Sequence, residues 1–174
     1  MEAFWRHGVE ATSLADLCKA TGLHKGSLYQ TFDDKHTLFM RALQHYSDKE
    51  FMQTLSVVSE SASPFENLRA VVHKIWSDVS EEKGCMMTNS MVELAPHDPQ
   101  VKELLGRAGE KRFGAVSKMI AMAKASGEIT CSRDPESMAR QLLVTLAGAA
   151  TMVKGFMAKE QMNKVLDDLL DSWI

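Results

Sequence analysis

Cysteine is scarce in this chain. Cys18, Cys85 and Cys131 are few, odd in number and unclustered, which argues against a disulfide framework or a zinc site and fits a reducing cytoplasm. No apolar run approaches the ~18 residues that a membrane span needs, and no basic-then-apolar leader pattern opens the chain. An excess of basic charge is missing too: 20 Lys and Arg stand against 23 Asp and Glu, a net charge of -3. Any role on DNA must therefore rest on local placement of charge. Sustained period-two alternation is absent, as are the Asn-Gly and Asp-Gly pairs of tight hairpins. That leaves little basis for a sheet.

What is present is helical. Proline occurs only four times, always where a helix should begin or end. Ser63-Pro64, Asp98-Pro99 and Asp134-Pro135 each set a capping side chain before a proline at the first helical position, where the missing N–H costs nothing. Ser63 and Glu66 also have capping-box spacing, and Pro96 closes the segment before it. Between these marks the apolar residues recur at helical spacing. Leu38, Phe39, Ala42, Leu43 and Tyr46 make one stripe, and a longer one runs from Val101 to Ala123. Met138, Leu142, Leu146, Ala149 and Val153 make a third, and Met162 to Trp173 a fourth. Gly127 reads as the stop of the longest helix. The expected fold is all-α, with about nine helices near 1–7, 13–20, 24–30, 34–59, 64–80, 85–95, 99–126, 135–156 and 160–173. The first three are short and close together, so a small domain over 1–47 is expected to precede a larger helical domain over 48–174.

The informative stretch runs from Thr12 to Phe32. Ser13 and Asp16 have capping-box spacing for a helix start, and Gly22 supplies the left-handed residue of a tight turn. Leu14, Leu17 and Leu23 are expected to face Leu28 and Phe32 across that turn, with Cys18 as the small side chain where two helices cross. Two short helices joined this way, the second carrying polar and basic residues outward, form a helix-turn-helix.

Phe4-Trp5-Arg6-His7-Gly8, then Thr12-Ser13, Gly22, Gly26-Ser27-Leu28-Tyr29, Phe32 and Lys35 with Leu38-Phe39, resemble the TetR regulator signature in residue type and spacing. Gly84-Cys85-Met86-Met87-Thr88-Asn89 with Glu93-Leu94-Ala95 resembles one branch of TetR effector domains. The resemblance implies an Ω-shaped homodimer, DNA reading by the third helix, and an effector pocket in the C-terminal domain. It also implies a first helix beginning upstream of Met1, so that the first helix here is shortened. Residues 1–50 carry six basic residues (Arg6, Lys19, Lys25, Lys35, Arg41, Lys49) against seven acidic ones, so the DNA-facing edge must gain its potential from placement.

In such a dock the start of the reading helix meets base edges while its flanks grip phosphates. His24, Lys25 and Gln30 are the base-reading candidates, since lysine donates to guanine and glutamine pairs both edges of adenine. Thr12, Ser13, Ser27, Tyr29, Thr31 and Lys35 are the phosphate candidates, and Gly26 lets the backbone approach closely. The alternative is that these residues simply cap and solvate a short exposed helix. For the effector pocket the candidates are His73, Trp76, Cys85, Met86, Asn89, Met119 and Met122, the methionines offering adaptable thioethers. Ordinary core filling explains the methionines, and the His73–Trp76 pair, as well. For the dimer interface the candidates are Leu142, Leu146, Ala149, Val165, Leu169 and Trp173, which suit an intersubunit four-helix bundle; close packing inside one subunit is the alternative. Cys85, near Lys83 and a helix start, is the candidate reactive thiolate, with Cys18 expected to be buried and Cys131 to lack comparable activation. An inert packing role for Cys85 is the alternative.

The leading reading is a cytoplasmic transcription repressor that leaves an inverted-repeat operator in double-stranded DNA when a small molecule binds. A helical adaptor that binds protein partners and no DNA is the second reading, and an all-α enzyme the third. The sequence offers no phosphate-cradling loop, nucleophile elbow, metal-ligand cluster or paired carboxylates, so no catalytic residue, metal or cofactor is expected.

Overall fold

Each long helix begins where a side chain takes over a free backbone N–H. In the computed structural model, which describes all 174 residues, the elements are α1 (Glu2–Ala11), α2 (Leu14–Thr21), α3 (Lys25–Phe32), α4 (Lys35–Leu55), α5 (Pro64–Ser77), α6 (Met86–Glu93), α7 (Pro99–Ala125), α8 (Pro135–Met152) and α9 (Lys159–Asp171). Ser13 and Ser63 close full capping boxes with Asp16 and Glu66. Asp34, Asp98 and Asp134 accept from amides in the first turns of α4, α7 and α8. Prolines 64, 99 and 135 occupy the first helical positions, as their missing N–H favours.

Three helix ends differ from the sequence expectation by four residues, the largest shifts in the chain. α1 continues past His7 to Ala11 across a kink at Gly8 (φ 77°, ψ 172°). Its second half is held by an acceptor from α6, which no local pattern announces. α4 stops at Leu55, where Ser56 turns its hydroxyl back onto the Gln53 carbonyl. α8 stops at Met152, whose carbonyl collects the amides of Gly155, Phe156 and Met157 in a tight turn.

The packing divides into two cores. One joins α5, α8 and α9 with the C-terminal half of α7, around Leu68, Trp76, Ile120, Leu142, Leu166 and Trp173. The other joins α1 to α4 with α6 and the N-terminal half of α7, around Phe4, Leu28, Phe39, Leu43, Met86 and Val101. Phe4 meets Phe39 edge-on at 5.4 Å and Trp5 meets Tyr46 at 5.1 Å, so α1 is fastened to α4 by aromatic pairs, a geometry in which ring edges approach neighbouring π faces. α7 runs through both cores and ties them together. Cys85 touches both and marks their junction.

Candidate nucleic-acid interface and cavities

The α2–α3 pair is fixed by three local devices. The Ser13–Asp16 box starts α2 (Asp16 N–H to Ser13 Oγ 3.2 Å, Ser13 N–H to Asp16 Oδ2 2.9 Å). Gly22, at φ 70°, ends it with its amide on the Cys18 carbonyl at 2.9 Å; a side chain is strained at that φ. Leu17 and Leu28 then bury the inner faces of both helices. Leu23, expected in that contact, is 39% exposed, because the turn swings it outward. Leu14 and Phe32 are half-buried, and Cys18 is half-buried where burial was expected.

With Leu28 committed inward, α3 turns the rest of its length to solvent. His24 caps it without a side-chain bond, and Lys25, Gly26, Ser27, Tyr29, Gln30 and Thr31 are all exposed. Thr31 bonds back to the Ser27 carbonyl at 2.9 Å, and Lys35 lies half-buried at the edge, 3.4 Å from the Glu10 carbonyl. Two of the phosphate candidates have other employment. Thr12 is fully buried, its hydroxyl donating to the Gly8 carbonyl at 2.5 Å; it holds the kinked α1 and cannot reach a phosphate. Ser13 spends its hydroxyl on Asp16, whose carboxyl those bonds hold below the usual range.

The effector candidates do not share one cavity. His73 points to α9, with Nε2 3.1 Å from Asp167, while Trp76 is buried in the core beneath it. Helix residues three apart lie about 60° from each other around the axis, and here that step takes His73 to the rim against α9 and Trp76 into the core. Met86 is sealed in the other core, and Asn89 opens on a separate cleft. Only Met119 and Met122 line a common groove, of about 250 Å³, with Leu55, Val58, Pro64 and Ala115 between α4, α5 and α7. A narrower recess beside it adds Phe51, Val71 and Ile75. Met86 and its neighbour Met87 fill the α1–α4 core, apart from Met119 and Met122, and Met91 is exposed. Leu55 and Val58 belonged to no stripe read from the sequence, and nothing in the sequence says that they face a void.

The dimer candidates need a similar correction. Leu142, Leu146, Ala149 and Trp173 fill this subunit's own core and are unavailable to a second chain. Leu169 packs half-buried against that core, and Val165, at 41%, is the one candidate that is exposed. α8 is apolar on two faces, so its sequence does not decide which face turns inward. The outward face carries Val144 (72% exposed), Gly148, Met152 and, past the helix end, Phe156 (78%).

The reactive-thiol expectation is also reversed. Cys85 caps α6 with Sγ 3.8 Å from the Tyr46 hydroxyl. Burial and the nearby Glu50 carboxylate push its thiol above the ordinary value. The Lys83 ammonium meant to activate it instead binds Glu2 at 2.6 Å and lies 4.0 Å over the Trp5 ring. Cys131, between α7 and α8, is the activated one. Arg133 Nε donates to its Sγ at 3.2 Å and holds the thiol below the ordinary value.

Residues 1–42 match the family described as bacterial regulatory proteins, tetR family, and residues 64–169 match the Tetracyclin repressor-like, C-terminal domain. The chain is 28% identical to the HTH-type transcriptional repressor ComR of Escherichia coli K12, over 99% of this chain and 84% of that one. It is 26% identical to the HTH-type transcriptional repressor DhaR of Mycobacterium sp. GP1, over 95% of this chain and 83% of the other. Among solved structures, a TetR transcriptional regulator from Chloroflexus aurantiacus superimposes with a TM-score of 0.86 at 20% identity, covering 97% of this chain and 87% of that one. A cysteine mutant of the regulator CifR, solved with a 26 bp double-strand operator, does so at 0.83 and 23% identity, covering 99% and 91%.

Proposed function

The chain belongs to the TetR family of bacterial regulatory proteins and is a DNA-binding transcriptional regulator rather than an enzyme; from that membership we propose that it is a cytoplasmic repressor which leaves its operator when a small apolar molecule binds. The observation that carries the reading is the exposed α3. A capped α2 and the Gly22 turn hold it rigidly, and its outward residues from His24 to Thr31 have no structural employment beyond the helix itself. Lys25 and Gln30, with His24, reach base edges; Ser27, Tyr29, Thr31 and Lys35 grip phosphates, and Gly26 admits the backbone of the duplex. Residues 1–47 are the DNA-reading part and 48–174 the effector and dimerisation part.

Two chains pair through the outward face of α8 with Val165 of α9. A two-fold protein reads two-fold DNA, so the operator is an inverted repeat with half-site centres about 34–36 Å apart or a multiple of that. The effector enters the groove between α4, α5 and α7 lined by Met119 and Met122, whose lining is almost wholly apolar; such a surface selects an apolar ligand, because a buried polar group without a partner costs free energy. Repression follows the relatives ComR and DhaR, both named repressors.

The test is fluorescence anisotropy with DNA flanking the chain's own gene, over a salt series. Specific binding is expected to weaken as salt rises. Lys25→Ala is expected to lose about 1–3 kcal/mol and to change the preferred base at one position. Tyr29→Phe should lower affinity evenly across sequences. A Lys25→Ala protein with full affinity and the same preferred site would refute the reading assigned to α3.

A further inference from the structure

A second cavity, polar where the effector groove is apolar, lies where the DNA-reading helices meet the body. Its volume is about 360 Å³. α1 contributes Arg6 and His7 to one wall, α6 contributes Asn89, and Lys154 just beyond α8 closes the other side. Three cations (Arg6, Lys83 and Lys154) meet three carboxylates (Glu82 and Glu93 in its wall and Glu2 beside it), but the pairing leaves one cation out. Glu93 has committed one carboxylate oxygen to the amides of Val9 and Glu10, at 2.9 and 3.2 Å. Glu82 is met by Arg6 at 3.4 Å, and Lys83 is taken by Glu2. Lys154 has no carboxylate; its ammonium donates only to the amide oxygen of Asn89, at 3.1 Å.

The position of that ammonium is built into the backbone. A Cβ on Gly84 would stand 2.7 Å from Lys154 Cδ and 2.8 Å from the Ala150 carbonyl oxygen. The absence of a side chain there lets the 80–84 turn lie flush against α8 and lets the lysine stem cross it, which aims the charge into the cleft. Asn89 spends one amide hydrogen on the Lys83 carbonyl, at 2.6 Å, and an amide has two. An unneutralised ammonium, a spare amide donor and a guanidinium held only by long contacts therefore converge on one metabolite-sized cleft.

We infer that this cleft binds a small organic anion, its charged oxygens taken by Lys154 with Asn89 and Arg6. The anion carries carboxylate or phosphate oxygens, which meet several donors at once and gain from charge-assisted bonds. Bound there it touches α1 on one side and α6 and α8 on the other, so its binding is linked to the DNA-reading helices, and any effect on operator affinity is returned as an equal effect on its own. That consequence rests on the regulator reading above; the binding itself does not.

The experiment is isothermal titration of the full chain with citrate and with inorganic phosphate, at ionic strength matched by sodium chloride. Saturable binding of at least one anion is expected. It should weaken at least tenfold in Lys154→Met, which keeps the stem on Gly84 and removes the charge. Asn89→Asp, which sets a carboxylate against Lys154 from another helix, should cause a similar loss, with circular dichroism confirming that both variants fold. Binding of citrate alone marks a carboxylate site, of phosphate alone a phosphate site, and of both a general oxyanion site. No saturable binding of either anion, or equal binding by wild type and a folded variant, overturns the assignment. Operator affinity is measured in parallel. Loss of the titration signal with operator binding intact sinks the cleft alone, and the reverse result sinks the regulator reading alone.

Discussion

At the scale of single residues, environment outranks position in the sequence. Cys85 stands at a helix start beside a lysine, a setting that ordinarily favours a thiolate. Its burial at the junction of two cores, the neighbouring Glu50 and the diversion of Lys83 to Glu2 all oppose that. Cys131 has no helix start to recommend it, yet Arg133 Nε at 3.2 Å favours its charged form. Iodoacetamide is therefore expected to modify Cys131 well before Cys85. The Cys131 reaction should set in below the ordinary thiol pKa of 9.0, since a lowered pKa populates the thiolate at lower pH. Cys85 should respond only at higher pH or after unfolding. Peptide mass spectrometry over a pH series reads the order directly, and early labelling of Cys85 would refute the assignment. Thr12 teaches the same lesson: its hydroxyl was eligible for a phosphate, and the fold gave it to the Gly8 carbonyl.

At the scale of elements, the ends of helices were legible and their facing was not. Caps and prolines act through bonds to residues two or three positions away, so Ser13, Ser63, Asp98 and Asp134 could be read directly. Which side of α8 turns inward depends instead on distant partners. Leu142, Leu146 and Ala149 are buried in the core that α8 shares with α5, α7 and α9, leaving Val144, Gly148 and Met152 outside. Two substitutions separate these faces. Val144→Asp should keep its helix content and sediment as a monomer, because it places a charge in the proposed contact between chains. Leu146→Asp should lose stability outright, because it buries an unpaired charge inside one subunit. Sedimentation velocity with circular dichroism distinguishes them. A folded, monomeric Leu146→Asp beside a dimeric Val144→Asp would restore the face that the sequence first suggested.

At the scale of the whole molecule, the DNA-reading helices are joined to the body by more than the continuous α4. Glu93 at the end of α6 accepts the amides of Val9 and Glu10, which the kink at Gly8 leaves without helical partners. A Cβ at Gly8 would lie 2.9 Å from a Glu93 oxygen, so only glycine allows so close an approach at φ 77°. Glu93→Ala should leave the buried Val9 amide unsatisfied and cost about 1–3 kcal/mol in urea unfolding. Hydrogen exchange at the Val9 and Glu10 amides should accelerate, and protection unchanged from wild type would show that this link does not hold α1 to α6.

The sequence by itself determined the helices, their starts, the helix-turn-helix and the family, because capping, turn chemistry and apolar period are short-range and repeat within a few residues. Lys25, Tyr29 and Gln30 could be named in advance for the same reason: Leu28 must face inward, and the rest of α3 follows from the helical period. Only the tertiary structure decided where Met119 and Met86 part company, which face of α8 is free, which thiol is activated and where Lys154 is left without a counter-charge. Each of those depends on groups tens of residues apart in the chain, and a local pattern holds no record of which distant side chain fills a space or neutralises a charge.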